Sequence, residues 1–184
     1  MTNLTIRPEH PHDQNAVRIL NEHAFGGREE ADIVDSLHRA KAVVVALVAQ
    51  AGAAVVGHIL FSPVDVEKAD GKRLVGLAPM AVAPKHQRHG IGGQLVGEGL
   101  AHCRAAGVDG VVVLGHAEYY PRFGFVPAVR FGLRCGYDVP ADVFMAIELT
   151  PDALGGVSGL VRYHSAFGPV RGATGASGDE SAEG

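Results

Sequence analysis

What the chain lacks sets the first limits. It has two cysteines, Cys103 and Cys135, in a pattern that fits neither a disulfide framework nor a zinc spacing. That predicts a reducing compartment, with Cys103 on an apolar helix face as a buried thiol. Basic excess is absent: the formal net charge is −4, without the positive footprint of a nucleic-acid binder. No apolar run approaches the roughly 18 residues that span a bilayer. "MTNLTIRPEHPHD" (1–13) lacks the apolar stretch of a signal peptide. These absences predict a cytoplasmic protein. The histidines of "HPHD" (10–13) stand without the rest of a tetrahedral ligand set, so no metal is expected.

What is present is an apolar body. Of 184 residues, 47% are hydrophobic and 20% charged, which predicts one domain with a substantial core. Its elements follow from periodicity. "LTIRPEH" (4–10) reads as a strand stopped by prolines. Ala16, Val17, Leu20 and Ala24 mark a helix over 13–25, and Ala31, Ile33, Val34 and Leu37 a second over 28–40. Strands are predicted at 42–52, 54–67 and 72–84 as a meander with turns at Gly52 and at "ADG" (69–71). Pro79 cannot donate to a ladder, and with Gly76 nearby it predicts a bulge. A helix over 91–106 carries Leu95, Val96, Leu100 and Cys103 and ends at Gly107. "GVVVLG" (110–115) is a buried strand, "EYYPRFGF" (118–125) a helical turn closed at Gly124, and 129–135 and 143–149 are further strands. Residues 154–167 form an extended arm, and the Gly/Ser-rich stretch 168–184 is expected to be disordered. The order predicts an α/β (α+β) domain on a mixed sheet, with a parallel crossover at its centre.

The segment "APKHQRHGIGGQLV" (83–96) concentrates the chemistry. A helix start leaves backbone N–H groups without intrahelical acceptors and carries the positive end of the dipole. Glycines let that backbone approach a ligand closely. Lys85, His86, Arg88 and His89 add side-chain donors, so the segment is shaped for a phosphate or pyrophosphate. The helix interior glycines Gly93, Gly97 and Gly99 each cost about 0.5–1 kcal/mol against alanine, a cost that close packing or a ligand would explain. Neither the P-loop nor the dinucleotide fingerprint fits: no Lys-Ser or Lys-Thr follows the glycines, and no third glycine falls at position 95.

Two ordered motifs carry a resemblance to a known family. Gln87 to Gly92 (QRHGIG) is similar to the Gln/Arg-x-x-Gly-x-Gly/Ala signature of the GCN5-related N-acetyltransferase (GNAT) superfamily, with His89 where Arg or Lys is common. Tyr120 to Phe125 (YPRFGF) is similar to its second signature. The resemblance covers roughly residues 3–150. It implies the acyl-CoA N-acyltransferase fold, a mixed central sheet with a splayed parallel strand pair, with 151–167 as an extension that packs on the core or on a partner. It implies that acetyl-CoA lies along Met80, Ala81 and Val82 and offers its pyrophosphate to Gln87, Arg88, His89, Gly90, Ile91, Gly92, Gly93 and Gln94, with Tyr120 and Phe123 near the coenzyme. It implies that Tyr120 protonates the departing thiolate while a backbone N–H near Met80 to Val82 polarises the thioester carbonyl. His116 and Glu118 are the first candidates for a base, with Glu29, Glu30 and His58 behind them. The expected activity is direct transfer of acetyl to a primary amine, a small molecule before a protein amine, by a monomer or homodimer. A weakly catalytic CoA-binding module and an enzyme using longer acyl-CoA donors are the alternatives.

Overall fold

The computed structural model describes residues 3–169. Of the tail read as disordered, residues 170–184 lie outside that range. Two compact units alternate along the chain, one formed by residues 3–61 and 78–99, the other by 62–77 and 100–169.

The first unit contains β1 (Leu4–Pro8), α1 (Gln14–Phe25), α2 (Glu29–Arg39), β2 (Val45–Ala51), β3 (Ala54–Pro63, up to Phe61) and the second half of β5 (Leu74–Val82). Its strands lie in the order β1-β2-β3-β5, and both β1/β2 and β2/β3 pair antiparallel. In α1 the buried residues Val17, Leu20, Asn21 and Ala24 follow helical spacing. Gly26, at φ 70°, ends the helix in the left-handed conformation that glycine adopts without a Cβ penalty. Helix α2 buries Ala31, Val34 and Leu37, opens on Glu29, Glu30 and Asp32, and closes on His38 and Arg39. Each charge therefore sits at the helix end whose dipole favours it. Arg18 of α1 makes ion pairs with Asp32 and Asp35 of α2.

Helix α3 (Ile91–Ala105) is seated by two glycines. A Cβ on Gly57 of β3 would lie 3.0 Å from Leu95 Cδ1 and 3.1 Å from Ile91 Cγ2. An added side chain would require these neighbours, and Ala49 Cβ at 3.0 Å, to give by a few tenths of an ångström. Gly99 plays the reciprocal part, since its Cβ would fall 2.5 Å from Phe61 Cε2.

The second unit holds the first half of β5, then β6 (Gly110–Leu114), β9 (Phe144–Glu148) and β7 (Val126–Pro127), adjacent in that order. A separate three-stranded sheet runs β4 (Asp65–Lys68), β10 (Ser158–Arg162), β8 (Leu133–Cys135). Strands β5 and β6 are parallel, registered Leu74↔Gly110, Val75↔Val111 and Gly76↔Val112. Strand β6 stays paired with β9 as far as Leu114↔Phe144.

Two expectations need correction. The strand read over 54–67 is two: β3 ends at Pro63, which has no N–H to give a ladder, and β4 joins the smaller sheet. The strand read over 129–135 begins instead as a 3-10 turn, Ala128–Phe131, reversed at Gly132 with φ 70°. Only Leu133–Cys135 is extended. The register of β5 with β6 ends at Gly76↔Val112, before Pro79, while β5 itself continues to Val82.

The interior glycines of α3 therefore differ in kind. A Cβ on Gly97 would meet nothing within 4 Å. We expect Gly97→Ala to raise unfolding stability by up to about 1 kcal/mol through helix propensity. Gly99→Ala should lower it by roughly 1–3 kcal/mol through overpacking against Phe61. Urea unfolding of the two variants measures the contrast.

Candidate active site

In the first unit, the loop between β5 and α3 brings together all the candidate residues from Met80 to Gln94. Met80, Ala81 and Val82 are buried. The Gln87 side chain donates from Nε2 to Val82 O at 3.1 Å, and His86 N–H donates to Ala83 O at 2.7 Å. Those bonds fold the loop back on the strand end. Arg88 and Gly90 both have positive φ, 61° and 77°. Arg88 is a non-glycine residue in a conformation that costs energy, the kind of strain that clusters at ligand sites. Gln94 N–H reaches Gly90 O at 3.1 Å, so Ile91, Gly92 and Gly93 supply the orphan donors of the first turn. Ile91 is itself buried, its side chain against Gly57, and only its main chain can serve a ligand. Arg88, His89 and Gly90 are exposed, and a Cβ on Gly90 would meet nothing within 4 Å.

In the second unit, Tyr120 begins a 3-10 turn, Tyr120–Phe123. Its ring is buried, edge-on to Tyr119 at 5.1 Å and to Phe125 at 5.6 Å. A Cβ at Gly115 would collide with it, so the tyrosine lies directly on backbone. Gly124, with φ 96°, makes the reversal that returns Phe125 to the core. Arg122 stacks its guanidinium 4.2 Å from the Tyr119 ring centroid, a cation–π contact that holds the turn's outer side. Tyr119 has a buried hydroxyl without a hydrogen-bond partner, and burial raises its pKa. Phe123 is half-buried beside Tyr119. Of the two first candidates for a base, Glu118 is exposed and His116 half-buried.

Comparison with known proteins agrees with these two motifs. The acetyltransferase (GNAT) family is matched over residues 13–125. The Escherichia coli K12 protein YhbS, described as an uncharacterized N-acetyltransferase, is 39% identical over 165 residues, covering 89% of this chain and 98% of that protein. This chain belongs to the GNAT acetyltransferase family. Among solved structures, E. coli YhbS in complex with CoA matches with a TM-score of 0.85 at 38% identity, over 91% of this chain and 93% of that one. A GNAT family acetyltransferase from Brucella melitensis in complex with acetyl-CoA matches with a TM-score of 0.75 at 38% identity, over 91% and 99%.

A third feature of this GNAT chain lies in the first unit, where the sequence named only one member. Glu9, just past β1, has a side chain 3% exposed, with Oε2 2.9 Å from His58 Nε2 and Oε1 3.0 Å from His38 Nε2. The contact to His58 is an aligned hydrogen bond. The contact to His38 lacks that alignment and acts through charge proximity. His58 is wholly buried on β3. Burial, the largest single influence on Glu9, would raise its pKa, but the two histidines together outweigh it and lower the carboxyl to about 2. The neighbouring carboxylate holds His38 above its ordinary value. Glu9 escaped the sequence reading because its partners are far along the chain. The one local hint is an acid at the end of a strand, inside "PEHPHD".

In that same segment Asp13 pairs with Arg7 at 2.7 Å, and His10 stacks on His12 at 5.3 Å. Among the described residues no three His, Cys, Asp or Glu side chains converge to hold a metal. No helix there is long and apolar enough to cross a membrane. Glu29 is exposed and Glu30 half-buried in the first turn of α2.

The charge cluster has a pH signature. A carboxyl lowered on folding stabilises the protein above its ordinary pKa and loses that contribution as pH falls through its folded value. For Glu9 that window runs from about 4.5 down to about 2, and the contribution is on the order of 3 kcal/mol. His38 acts in the opposite sense, stabilising below its ordinary value near 6.5 and fading as pH rises through its folded one. We expect Glu9→Gln to flatten the acid side of the stability curve, read by urea midpoints between pH 2 and 5.

Proposed function

We propose that the protein transfers acetyl from acetyl-CoA to the nitrogen of a small-molecule primary amine by direct attack. The observation that supports this best is the geometry at Gly90. A helix start whose first-turn N–H groups lack intrahelical acceptors is approached through an exposed glycine, Gly90, whose missing Cβ leaves the space that a diphosphate would fill. Main-chain N–H groups from Gly90 to Gly93 would hold the diphosphate, with the Gln94 N–H kept by Gly90 O. Arg88 and His89, exposed on the rim, add charge or donors. The backbone of Met80 to Val82 would line the pantetheine arm, and one of its N–H groups would polarise the thioester carbonyl. Acetyl-CoA supplies an acyl thioester whose carbonyl carbon is the electrophile. The structures of E. coli YhbS with CoA and of the Brucella protein with acetyl-CoA lend this reading weight.

In this reading Tyr120 gives its proton to the thiolate that departs. Its burial against Gly115, Tyr119 and Phe125 leaves one orientation for the phenol, which suits a group that must donate to a single developing charge. A covalent cysteine route has little support. Burial pushes the Cys103 thiol up to about 12 and also raises Cys135, whereas the nucleophile in such a route is the thiolate.

Two variants test the reading. Gly90→Asp puts a carboxylate where the diphosphate would sit, and we expect calorimetry to show CoA affinity reduced by about 10²-fold or more, several kcal/mol. Unchanged affinity would refute the placement. Tyr120→Phe should bind acetyl-CoA as the wild type does and turn over an amine about 10²-fold more slowly. Equal rates would remove the acid role.

A further inference from the structure

Direct transfer to an amine also requires a group to take a proton from it. An alkylammonium with a pKa near that of lysine is neutral only about once in a thousand molecules at pH 7, so transfer to such an acceptor needs a proton sink. We propose that His58 is that sink, the general base of the reaction, and that Glu9 is the positioning residue that fixes its tautomer. The inference rests on the acetyltransferase reading above and deepens it.

Three observations within the first unit carry it. First, the bond from His58 Nε2 to the Glu9 carboxylate requires a hydrogen on Nε2, because an ionised carboxylate only accepts. In the neutral ring Nδ1 is then a lone-pair acceptor. Secondly, Nδ1 is buried and has no hydrogen-bond partner. A buried polar atom left unsatisfied is costly and needs an explanation, and a proton acceptor awaiting its substrate is one. Thirdly, His58 lies on β3, beside the half of β5 that carries Met80 to Val82. Ala83 N–H donates to Val56 O at 2.8 Å. His58 stands two residues on from Val56 along β3, and Ala81 two residues back from Ala83 along β5. The side-chain environments agree. Ala81 packs with Leu20 and Ala24 of α1, and His58 reaches His38 of α2 through Glu9. Both therefore face the side of the sheet covered by α1 and α2, away from α3, against which Gly57 is packed.

The charges around the imidazole are few. Glu9 faces it from β1, and His38 reaches the same carboxylate from α2 with Asp35 acting on His38. Val48, its register partner on β2, and Ala81 on β5 carry none.

The proton balance closes. The ammonium gives one proton to Nδ1 through a bridging water, and the freed lone pair attacks the thioester carbon. As the C–N bond forms and the C–S bond breaks, the nitrogen loses a second proton. The departing thiolate takes up that second proton, while His58 passes the first to solvent. One proton is released per acetyl transferred.

The test is steady-state transfer from acetyl-CoA by the full chain to an alkylamine, charged at pH 7, and to an arylamine already neutral there. We expect His58→Gln to lose about 10²-fold or more in kcat/KM on the alkylamine, with the acidic limb of the pH profile gone, while the arylamine rate and CoA affinity by calorimetry stay near wild type. Glu9→Gln should shift the same limb without changing CoA affinity. Equal losses on both amines would mark a structural role and overturn the inference, as would no loss at all. If His58→Gln fails to bind CoA, Glu9→Gln decides alone, and an unmoved limb counts against the proposal. A wild type that acetylates no amine overturns the underlying reading instead.

Discussion

A helix can offer its first N–H groups to a ligand only if something holds that end still. Here Ile91 and Leu95 press against the bare backbone of Gly57. The contact is a dispersion and burial interaction, individually unremarkable, but it sets the height of the helix start above the sheet. Everything proposed for the loop inherits that height: the reversal at Gly90, the return bond from Gln87 to Val82, and the three donors of the first turn. A larger residue at position 57 would leave the loop's own sequence intact and still crowd the side chains that seat its helix. The glycine that matters most for the cradle thus lies well before it in the chain.

The two ends of the chemistry are built on different physics. At the loop, flexible residues are held by hydrogen bonds and a backbone strained at Arg88, an arrangement suited to surrounding a charged group with donors. At Tyr120 the arrangement is aromatic and stiff, with edge-to-face rings and a glycine backbone beneath. A diphosphate presents many equivalent acceptors and tolerates several donor positions. A proton donor, the role proposed for Tyr120, serves one atom and loses its effect when it is misdirected, which rigid packing would suit.

Legibility followed the range of the interactions. Helices α1, α2 and α3 could be read because their apolar residues recur at the helical period. The loop could be read because glycines before a helix carry a local physical meaning. The split at Pro63 was in principle legible from proline's missing donor, but "VDVE" alternates as a strand should and hid the change of sheet. Residues 129–131 look extended, yet Gly132 permits a reversal that turns them into a 3-10 turn. Glu9 was not legible at all. Its partners lie on α2 and β3, and no periodicity links positions 9, 38 and 58. Which glycine of α3 packs and which faces open space was equally hidden, since Gly97 and Gly99 look alike until Phe61 is placed.

The Glu9 cluster is the part of the fold that stability alone explains least. One carboxylate faces two imidazoles, so it can balance a single positive charge at a time. The Glu9 carboxylate, with a smaller contribution from Asp35, holds His38 above its ordinary value, while His58 is bonded to the same carboxylate through Nε2. Buried ionic groups of this kind are often replaced by apolar residues at no loss of stability. An aliphatic residue at position 58 would satisfy the wall of β3 without leaving Nδ1 unpaired. A structural role accounts for the bonded nitrogen of His58 and leaves the other unexplained. A proton-accepting role accounts for both: the carboxylate spends Nε2 on orientation, and the orientation is what leaves Nδ1 free to act.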